Sequence, residues 1–310
     1  MGKTVKVLLV LTLLISIGCF TLGVVSAQQA GMTITDLAKI VQSNMEVLNI
    51  SPVTQEYSEI RETMNLAEHE DKPKIMVRNS FPDLTVTAGD EFKVELLGDV
   101  SSKLTNLLSW SADLDTIYIN IAGVFNENPS STGLQAVVTL PQTMLDEISI
   151  TSISGDVSLI DLPPVQQGRI EIKSGNIKIE NSAIQKLSAV SQSGNISANG
   201  FDAMELELST GSGDISLLTS SLSGVLTSKS GRIKAELSHL PDDLTLQNES
   251  GNIDIVCRGA KPKYDLSTKT GRLTVNLKEF KQQVTADLEK KGSLLKVISE
   301  SGWVNLEIKD

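Results

Sequence analysis

Residues 174–177 read Ser-Gly-Asn-Ile, and the same tetrad returns at residues 193–196 and 250–253. With conservative exchanges the chain carries eight such tetrads, whose glycines are spaced 20, 19, 19, 18, 20, 20 and 31 residues apart. So narrow a period is typical of repeat proteins, in which one short unit stacks on the next. We predict that the glycines form the turn of each repeat: Gly155, Gly175, Gly194, Gly213, Gly231, Gly251, Gly271 and Gly302.

Apolar and polar positions alternate on both sides of each glycine. The second and fourth residues after the glycine are aliphatic in all eight copies, and the third is polar. The fifth residue before the glycine is aliphatic as well. A period of two indicates strands with one buried face, and a two-strand unit of this size cannot bury that face alone. The sequence therefore predicts an all-β fold, a β-solenoid of the single-stranded β-helix type with coils of about 19 residues.

The repeats and the segment before them resemble a known family. The lead-in comprises Thr139-Leu140-Pro141 and the segment Leu145–Ile150, which precede the first tetrad. With the S-G-[DN]-[IV] repeats it is similar to the bacterial and archaeal putative-adhesin family, a β-helical domain of unknown function. The resemblance covers about Lys74 to Asp310 and implies the fold, and it supplies no catalytic residues.

The N-terminal segment has the layout of an export signal. Lys3 and Lys6 precede an apolar run over Val7–Val25, and the small residue Ala27 ends the segment. This arrangement is typical of a secretory signal peptide cleaved after Ala27. The run is also long enough to remain as an uncleaved anchor, and Cys19 offers a site for lipidation. All three alternatives predict an extracellular or cell-envelope location, with membrane contact only through this segment.

The remaining chain suggests a neck followed by the solenoid. Thr33–Asn49 has helical spacing of its apolar residues, and the Glu-rich stretch Ser51–Lys72 suggests an acidic linker or a loosely packed helix. From Lys74 onward short alternating runs predict strands. The predicted division is a signal over 1–27, a helical neck and acidic linker over 28–73, and a β-solenoid domain over 74–310, with irregular strands over 74–140 and regular repeats over 141–310.

Composition excludes several classes of function. The net charge of −11 disfavours a nucleic-acid partner, and aromatic residues at 4% provide little surface for stacking sugars. Two His and two Cys do not support a His-rich metal site or a disulfide scaffold. Because His69 lies in an acidic run without a second His nearby, we interpret it as solvated. Cys257 lies in an apolar run and is predicted to be a buried, inert thiol.

No catalytic, metal or cofactor site is predicted. Asp156 and Asp214 occupy equivalent turns three coils apart, about 14 Å at the rise of stacked strands, which is too far for a carboxylate pair. We interpret the Asp and Asn residues after the glycines as turn formers. The favoured function is an exported, non-enzymatic binding or structural module, adhesin-like, of the cell envelope or surface. The alternatives are an exported carbohydrate-active β-helix enzyme and an envelope-stress regulatory partner.

Two features suggest partner contacts. Lys229, Arg232, Lys269 and Arg272 flank the same turn in two coils, and this basic edge could contact an anionic cell-wall polymer, surface polymer or lipid head group. Since Glu249 interrupts the column, scattered solvated charge is the alternative. The long last interval leaves an insertion over Glu279–Gly292, interpreted either as a cap over the final coils or as a contact for another envelope protein.

Overall fold

The computed structural model describes residues 57–66, 71, 73–101, 107–121, 131–201, 203–219, 223–238, 243–258, 262–286, 288 and 294–309. Within these bounds the chain forms twenty-five β-strands and no helix, and so none that could cross a membrane. The predicted helix over Thr33–Asn49, the segment 1–27 and His69 lie outside the described residues.

In chain order, the strands are β1 (Tyr57–Asn65), β2 (Lys74–Asn79), β3 (Asp83–Gly89), β4 (Lys93–Ser101), β5 (Leu108–Ala112), β6 (Thr116–Ile121), β7 (Ser131–Pro141), β8 (Leu145–Ser152), β9 (Val157–Ile160), β10 (Val165–Ile172), β11 (Ile177–Glu180), β12 (Ile184–Ser191), β13 (Ile196–Asn199), β14 (Glu205–Ser212), β15 (Ile215–Thr219), β16 (Ser223–Ser230), β17 (Ile233–Leu237), β18 (Asp243–Ser250), β19 (Ile253–Arg258), β20 (Lys263–Thr270), β21 (Leu273–Val275), β22 (Lys278–Phe280), β23 (Gln283–Ala286), β24 (Leu294–Ser301) and β25 (Val304–Lys309).

The strands form two long sheets. The first sheet has the order β1-β4-β7-β3-β9-β11-β13-β15-β17-β19-β25-β21-β22. The second has the order β23-β20-β24-β18-β16-β14-β12-β10-β8-β2-β6-β5. The chain runs along one strand of the second sheet, turns, and continues along a strand of the first, so that two strands make one coil. Ile170 of β10 lies opposite Ile150 and Ala189 of the neighbouring coils. The all-β prediction is confirmed, and the parallel sheets have the arrangement of a β-solenoid.

The core consists of aliphatic columns between the two sheets. Residues two positions after the repeat glycines and five positions before them are at most 1% exposed, from Val157 to Val304 in the first set and from Ile150 to Val297 in the second. The polar residue between the buried positions points outward. On the first sheet Lys178 pairs with Glu180 at 2.9 Å. Burial of each Leu or Ile side chain contributes about 1.5–3 kcal/mol, so the stacked columns stabilise the solenoid along its length.

The last coil of the chain does not lie at the end of the stack. The repeats predict coils that stack in sequence order, but β24–β25 lie between β18–β19 and β20–β21. Val297 of β24 consequently pairs with Leu246 on one side and Leu266 on the other. The hairpin at Asn276–Leu277 explains this order, because it folds β22 onto the outer edge of β21. The returning chain therefore enters on the inner side.

The insertion caps the C-terminal end of the stack. Strand β22 pairs antiparallel with β21, and β23 pairs antiparallel with β20. Lys278, the first residue of β22, lies just before the predicted insertion Glu279–Gly292, and the rest of β22 and all of β23 lie within it. Antiparallel strands on the outermost coil occupy the backbone groups that would otherwise template another chain. This arrangement favours the cap among the two interpretations of the insertion.

Antiparallel strands also cover the N-terminal end of the stack, and one of them contradicts a prediction from the sequence. Coil β2–β3 lies between β6–β7 and β8–β9, and β4 and β5 pair antiparallel on β7 and β6. Strand β1, within the predicted acidic linker, pairs antiparallel with β4. The linker interpretation is therefore wrong for Tyr57–Asn65. An edge strand tolerates exposed charges such as Glu59 while Leu66 beyond it is fully buried, which reconciles a Glu-rich sequence with a strand.

Candidate functional site

The repeat glycines stack directly on one another at one corner of the solenoid. All eight have positive φ angles, between +89° and +157°. A Cβ atom built on Gly194 would lie 1.9 Å from the carbonyl oxygen of Gly175 in the preceding coil. Glycine is therefore required by the close approach of the coils as well as by the backbone conformation. Buried hydroxyls complete the corner: Thr210 donates from Oγ1 to the Gly194 carbonyl at 2.9 Å.

A ladder of side-chain oxygens runs along the same corner. Where Asp or Asn follows the glycine, its carboxylate or amide oxygen accepts a hydrogen bond from the backbone N–H of the equivalent residue in the next coil. Asp156 accepts from the N–H of Asn176 at 2.8 Å, Asn176 from Asn195 at 2.9 Å, and Asn195 from Asp214 at 2.8 Å. Asp214 in turn accepts from the N–H of Arg232 at 2.7 Å. Asp156 and Asp214 are thus both engaged in turn hydrogen bonds.

The ladder changes character toward the C-terminal end. Its positions there are held, in spatial order, by Arg232, Asn252, Trp303 and Arg272, which we call the cationic corner. Asn252 accepts from the N–H of Trp303 at 3.0 Å, but Arg and Trp side chains have no acceptor that could continue the ladder. Trp303 is 59% exposed. An exposed aromatic ring beside a cationic side chain is a feature of binding surfaces rather than of turns.

Arg272 and Trp303 form the centre of this corner. The guanidinium carbon of Arg272 lies 5.3 Å from the centroid of the Trp303 ring, within the range of a cation–π interaction. Arg272 also forms an ion pair with Glu279 of β22, in which Nη1 of Arg272 lies 3.2 Å from Oε1 of Glu279. Both partners of this ion pair are more than half exposed, so the pair is weak and open to exchange with another anion.

The structure does not bring the four predicted basic residues together. The inserted coil gives the order Lys229, Glu249, Glu300, Lys269 in the column two residues before the glycines. Lys269 forms an ion pair with Glu300, and Arg232 lies 3.4 Å from Asp254 between Nε and Oδ2. The same insertion separates Arg232 from Arg272 by three coils, about 14 Å. Acidic side chains therefore lie between the residues of the predicted basic edge, at Glu249 and at Glu300 of the inserted coil.

The cysteine has no chemical environment that would activate it. Cys257 is 1% exposed within the core, and burial raises the pKa of its thiol to about 11. The thiolate, the reactive form, is correspondingly scarce at neutral pH. Among the residues that the structure describes, no three His, Cys, Asp or Glu side chains come together as metal ligands.

Sequence reasoning missed Trp303 as a candidate site residue. The signal was present in the tetrads, because five of the eight carry Asp or Asn after the glycine and Trp303 replaces that residue in the last copy. The replacement becomes informative once the structure shows that Asp and Asn form a ladder at this position. Its proximity to Arg272 depends on the insertion of the last coil, which the spacing of the repeats does not specify.

The fold and the corner define a capped β-solenoid whose outer corner exposes an aromatic and cationic surface. The chain belongs to the Toastrack DUF4097 family, which residues 115–307 match. This confirms the resemblance to putative adhesins that the tetrads indicate. No curated protein matches the chain in sequence.

Solved structures from Bacteroides and Parabacteroides species are similar in fold. A putative adhesin from Bacteroides fragilis NCTC 9343 has 14% identity and a TM-score of 0.50, covering 82% of this chain and 98% of its own. A putative adhesin from Parabacteroides merdae ATCC 43184 has 12% identity and a TM-score of 0.44, covering 82% of this chain and 97% of its own. A putative lipid binding protein from Parabacteroides distasonis ATCC 8503 has 14% identity and a TM-score of 0.42, with coverages of 80% and 96%.

Proposed function

We propose that this protein is an exported, non-enzymatic binding module of the cell envelope or cell surface. It acts as an adhesin-like solenoid that holds its ligand at the cationic corner. The observation that carries this proposal is the exposed Trp303 beside Arg272, at positions that have a structural role in the other coils. Residues that abandon a local structural rule in an otherwise regular protein are expected at functional sites.

The solenoid suits a binding role because its corner is a rigid surface. Parallel hydrogen bonds and buried columns fix each coil against the next, and antiparallel strands cover both ends. Side chains at the corner are therefore held at a constant spacing of about 4.8 Å per coil. A preorganised surface loses little conformational entropy when it binds a ligand, which favours affinity.

Export places this surface outside the cytoplasm. The proposed division is an export segment over 1–27, a neck with a helix over Thr33–Asn49, and a solenoid that begins with β1. The segment is cleaved after Ala27, retained as an anchor, or lipidated at Cys19, and each route exposes the solenoid in the envelope or outside the cell. The name of the Bacteroides fragilis structure, a putative adhesin similar in fold, supports a surface location.

The experiment measures envelope retention in cells that produce the full chain. The solenoid is expected to be accessible to added protease on intact cells, and the released protein is expected to rebind isolated envelopes. The variant Trp303→Ser should lose most of this rebinding, whereas the control Met204→Ser, which changes another exposed apolar side chain at 70% exposure, should retain it. Equal rebinding of both variants would overturn the proposal, as would protection of the protein inside intact cells.

An enzymatic role finds less support at this corner. Asp156 and Asp214 each accept a backbone hydrogen bond from the next coil, and two further coils lie between them. A retaining or inverting glycosidase needs two carboxyl groups within about 10 Å. We therefore place no catalytic pair on these residues.

A further inference from the structure

We infer that the ligand of the cationic corner is a carboxylated polysaccharide, bound with a sugar ring against Trp303 and a carboxylate on Arg272. This inference rests on the proposed function and names the class of ligand. Four features of the cationic corner support it: its hydrogen-bonding character, its charge, the geometry of Arg272, and the length of the row of side chains from Arg232 to Arg272.

The outward-facing groups of the corner are hydrogen-bond donors. Arg232 and Arg272 have five N–H donors each and no acceptor, and the indole of Trp303 has one donor and no acceptor. Asn252 uses its Oδ1 to accept from the N–H of Trp303, which leaves the Nδ2 amide as the donor at its outer end. A ligand that matches such a row is rich in acceptors. Carboxylates and sugar hydroxyl and ring oxygens meet this requirement.

Charge confines an anionic ligand to this half of the corner. The other half of the same column carries the carboxylates of Asp83, Asp156 and Asp214, together with Asn176 and Asn195. The N-terminal coils therefore repel a polyanion, whereas the C-terminal coils present two guanidinium groups, for which the ligand's carboxylates compete with Asp254 and Glu279. Because the net charge of the chain is −11, such a local contrast is more selective than a uniformly basic surface.

Arg272 is already oriented for a carboxylate. Its guanidinium stacks near the Trp303 ring and contacts one oxygen of Glu279, so its fork faces an anion position at the solvent boundary. A carboxylate of the ligand can replace Glu279, since both side chains of this ion pair are more than half exposed and such pairs are weak. Planar carboxylates match the guanidinium fork in a bidentate arrangement. The ring of Trp303 next to it offers an apolar surface to the C–H face of a sugar.

The row is longer than a single sugar. Arg232 lies three coils from Arg272, about 14 Å along the stack, with Asn252 and Trp303 between them. A ligand that uses both guanidinium groups must extend over this distance with anionic groups along its length. A polyuronate has this chemistry because each unit combines a pyranose ring with a carboxylate. A phosphate polymer or an anionic lipid surface supplies the charge without the ring that Trp303 favours.

The test measures binding of the full chain to tetragalacturonate, to its methyl ester, to polyphosphate and to vesicles of phosphatidylglycerol by calorimetry or light scattering. Tetragalacturonate is expected to bind, and its uncharged methyl ester should bind at least about tenfold more weakly. Trp303→Ser and Arg272→Gln should each raise the Kd for tetragalacturonate about tenfold or more. The matched control Arg169→Gln removes another exposed, ion-paired arginine, on the second sheet, and should leave the Kd unchanged.

The outcomes distinguish a wrong class of ligand from a wrong proposed function. If polyphosphate or vesicles bind and tetragalacturonate does not, or if the methyl ester binds as tightly as the acid, the carboxylated-polysaccharide inference is wrong. Envelope rebinding that still depends on Trp303 would then leave the proposed function standing. If tetragalacturonate binds equally to wild type, Trp303→Ser and Arg272→Gln, the ligand does not occupy the cationic corner and the inference is also overturned.

Discussion

The stacking of glycines at the corner predicts a large loss of stability from one methyl group. In Gly194→Ala the added Cβ would lie 1.9 Å from the Gly175 carbonyl oxygen and 2.6 Å from its carbon, where an ordinary contact needs about 3.4 Å or more. The coils must separate by more than about 1 Å, which strains three hydrogen bonds beside the contact: Gly175 N–H to Ser193 O, Ile177 N–H to Asn195 O, and Asn195 N–H to Asn176 Oδ1.

The magnitude follows from these bonds and from the backbone. Loss of three hydrogen bonds costs about 3 kcal/mol at about 1 kcal/mol each, and a side chain at positive φ adds about 1–2 kcal/mol. We therefore expect Gly194→Ala to lower the free energy of unfolding by about 4–5 kcal/mol. Gly133 is the matched control, since its φ is +64° but nothing lies within 4 Å of its built Cβ. Gly133→Ala should show the conformational cost of about 1–2 kcal/mol without the contact.

The assay is urea unfolding followed by circular dichroism, with hydrogen exchange of the corner amides as a local measure. Gly194→Ala is expected to unfold at a clearly lower urea concentration than Gly133→Ala, and its corner amides should exchange faster. If the two variants unfold at the same urea concentration, the close approach of the coils contributes nothing beyond backbone conformation. Glycine would then be required at this corner by its φ angle alone and not by the stacking of the coils.

Three further predictions concern the hairpin, the ladder and the thiol. Leu277 has a φ angle of +66° and is 93% exposed. The variant Leu277→Gly should therefore raise the free energy of unfolding by about 1 kcal/mol in urea titrations. A decrease would show that the leucine side chain makes a stabilising contact. Asn195→Ala removes the acceptor of the Asp214 N–H and should lower the free energy of unfolding by about 1–2 kcal/mol. The control Asn199→Ala, which lies outside the ladder, should lower it measurably less. Equal losses of stability in the two variants would contradict the structural role of the ladder. In a Cys19→Ser background, the thiol of Cys257 should react with a disulfide reagent at pH 8 only after unfolding. Because burial raises the pKa of this thiol from 9.0 to about 11, the native state holds the proton more tightly, and its contribution to stability is present below pH 9 and lost between pH 9 and 11. In urea titrations at pH 9 and pH 11, Cys257→Ala should not show this loss of stability. An identical pH dependence in the variant and in the protein with Cys257 would rule out the thiol as the source of the loss.

The sequence predicted the interior of the solenoid well, because the interior obeys a strict period. Val157, Ile177 and the other members of their column are buried as the alternation requires. The order of the final coils was not predictable in the same way. The coils that contain Gly271 and Gly302 have tetrads of the same pattern and aliphatic residues at the same positions, so each fits against the coil of Gly251 in the register that the pattern sets. The choice between them depends on the hairpin at Asn276–Leu277, a local turn with no signal in the repeat.

The second corner shows the same limit on a smaller scale. Asp161 and Asn181 occupy left-handed conformations at the return turn, with φ angles of 51° and 47°, and Gly200 continues that column at 58°. Asp, Asn and Gly are the residues that tolerate this conformation, so the turn has a chemical logic. The period of two describes strands and does not extend into turns. A column of turn residues was therefore recognised only where an invariant glycine marked it.

The exchange of ladder residues for Arg and Trp has an energetic consequence that bears on function. Asp214 caps the N–H of Arg232, but the guanidinium of Arg232 cannot accept the N–H of Asn252 in the next coil, and Trp303 cannot accept that of Arg272. Each exchange gives up a hydrogen bond that Asn would provide, at a cost of about 1 kcal/mol. The two losses lie two coils apart, on either side of the intact hydrogen bond between Asn252 and Trp303, in the part of the column where donors replace acceptors. Their clustering around one exposed aromatic ring favours a role for these side chains outside the fold.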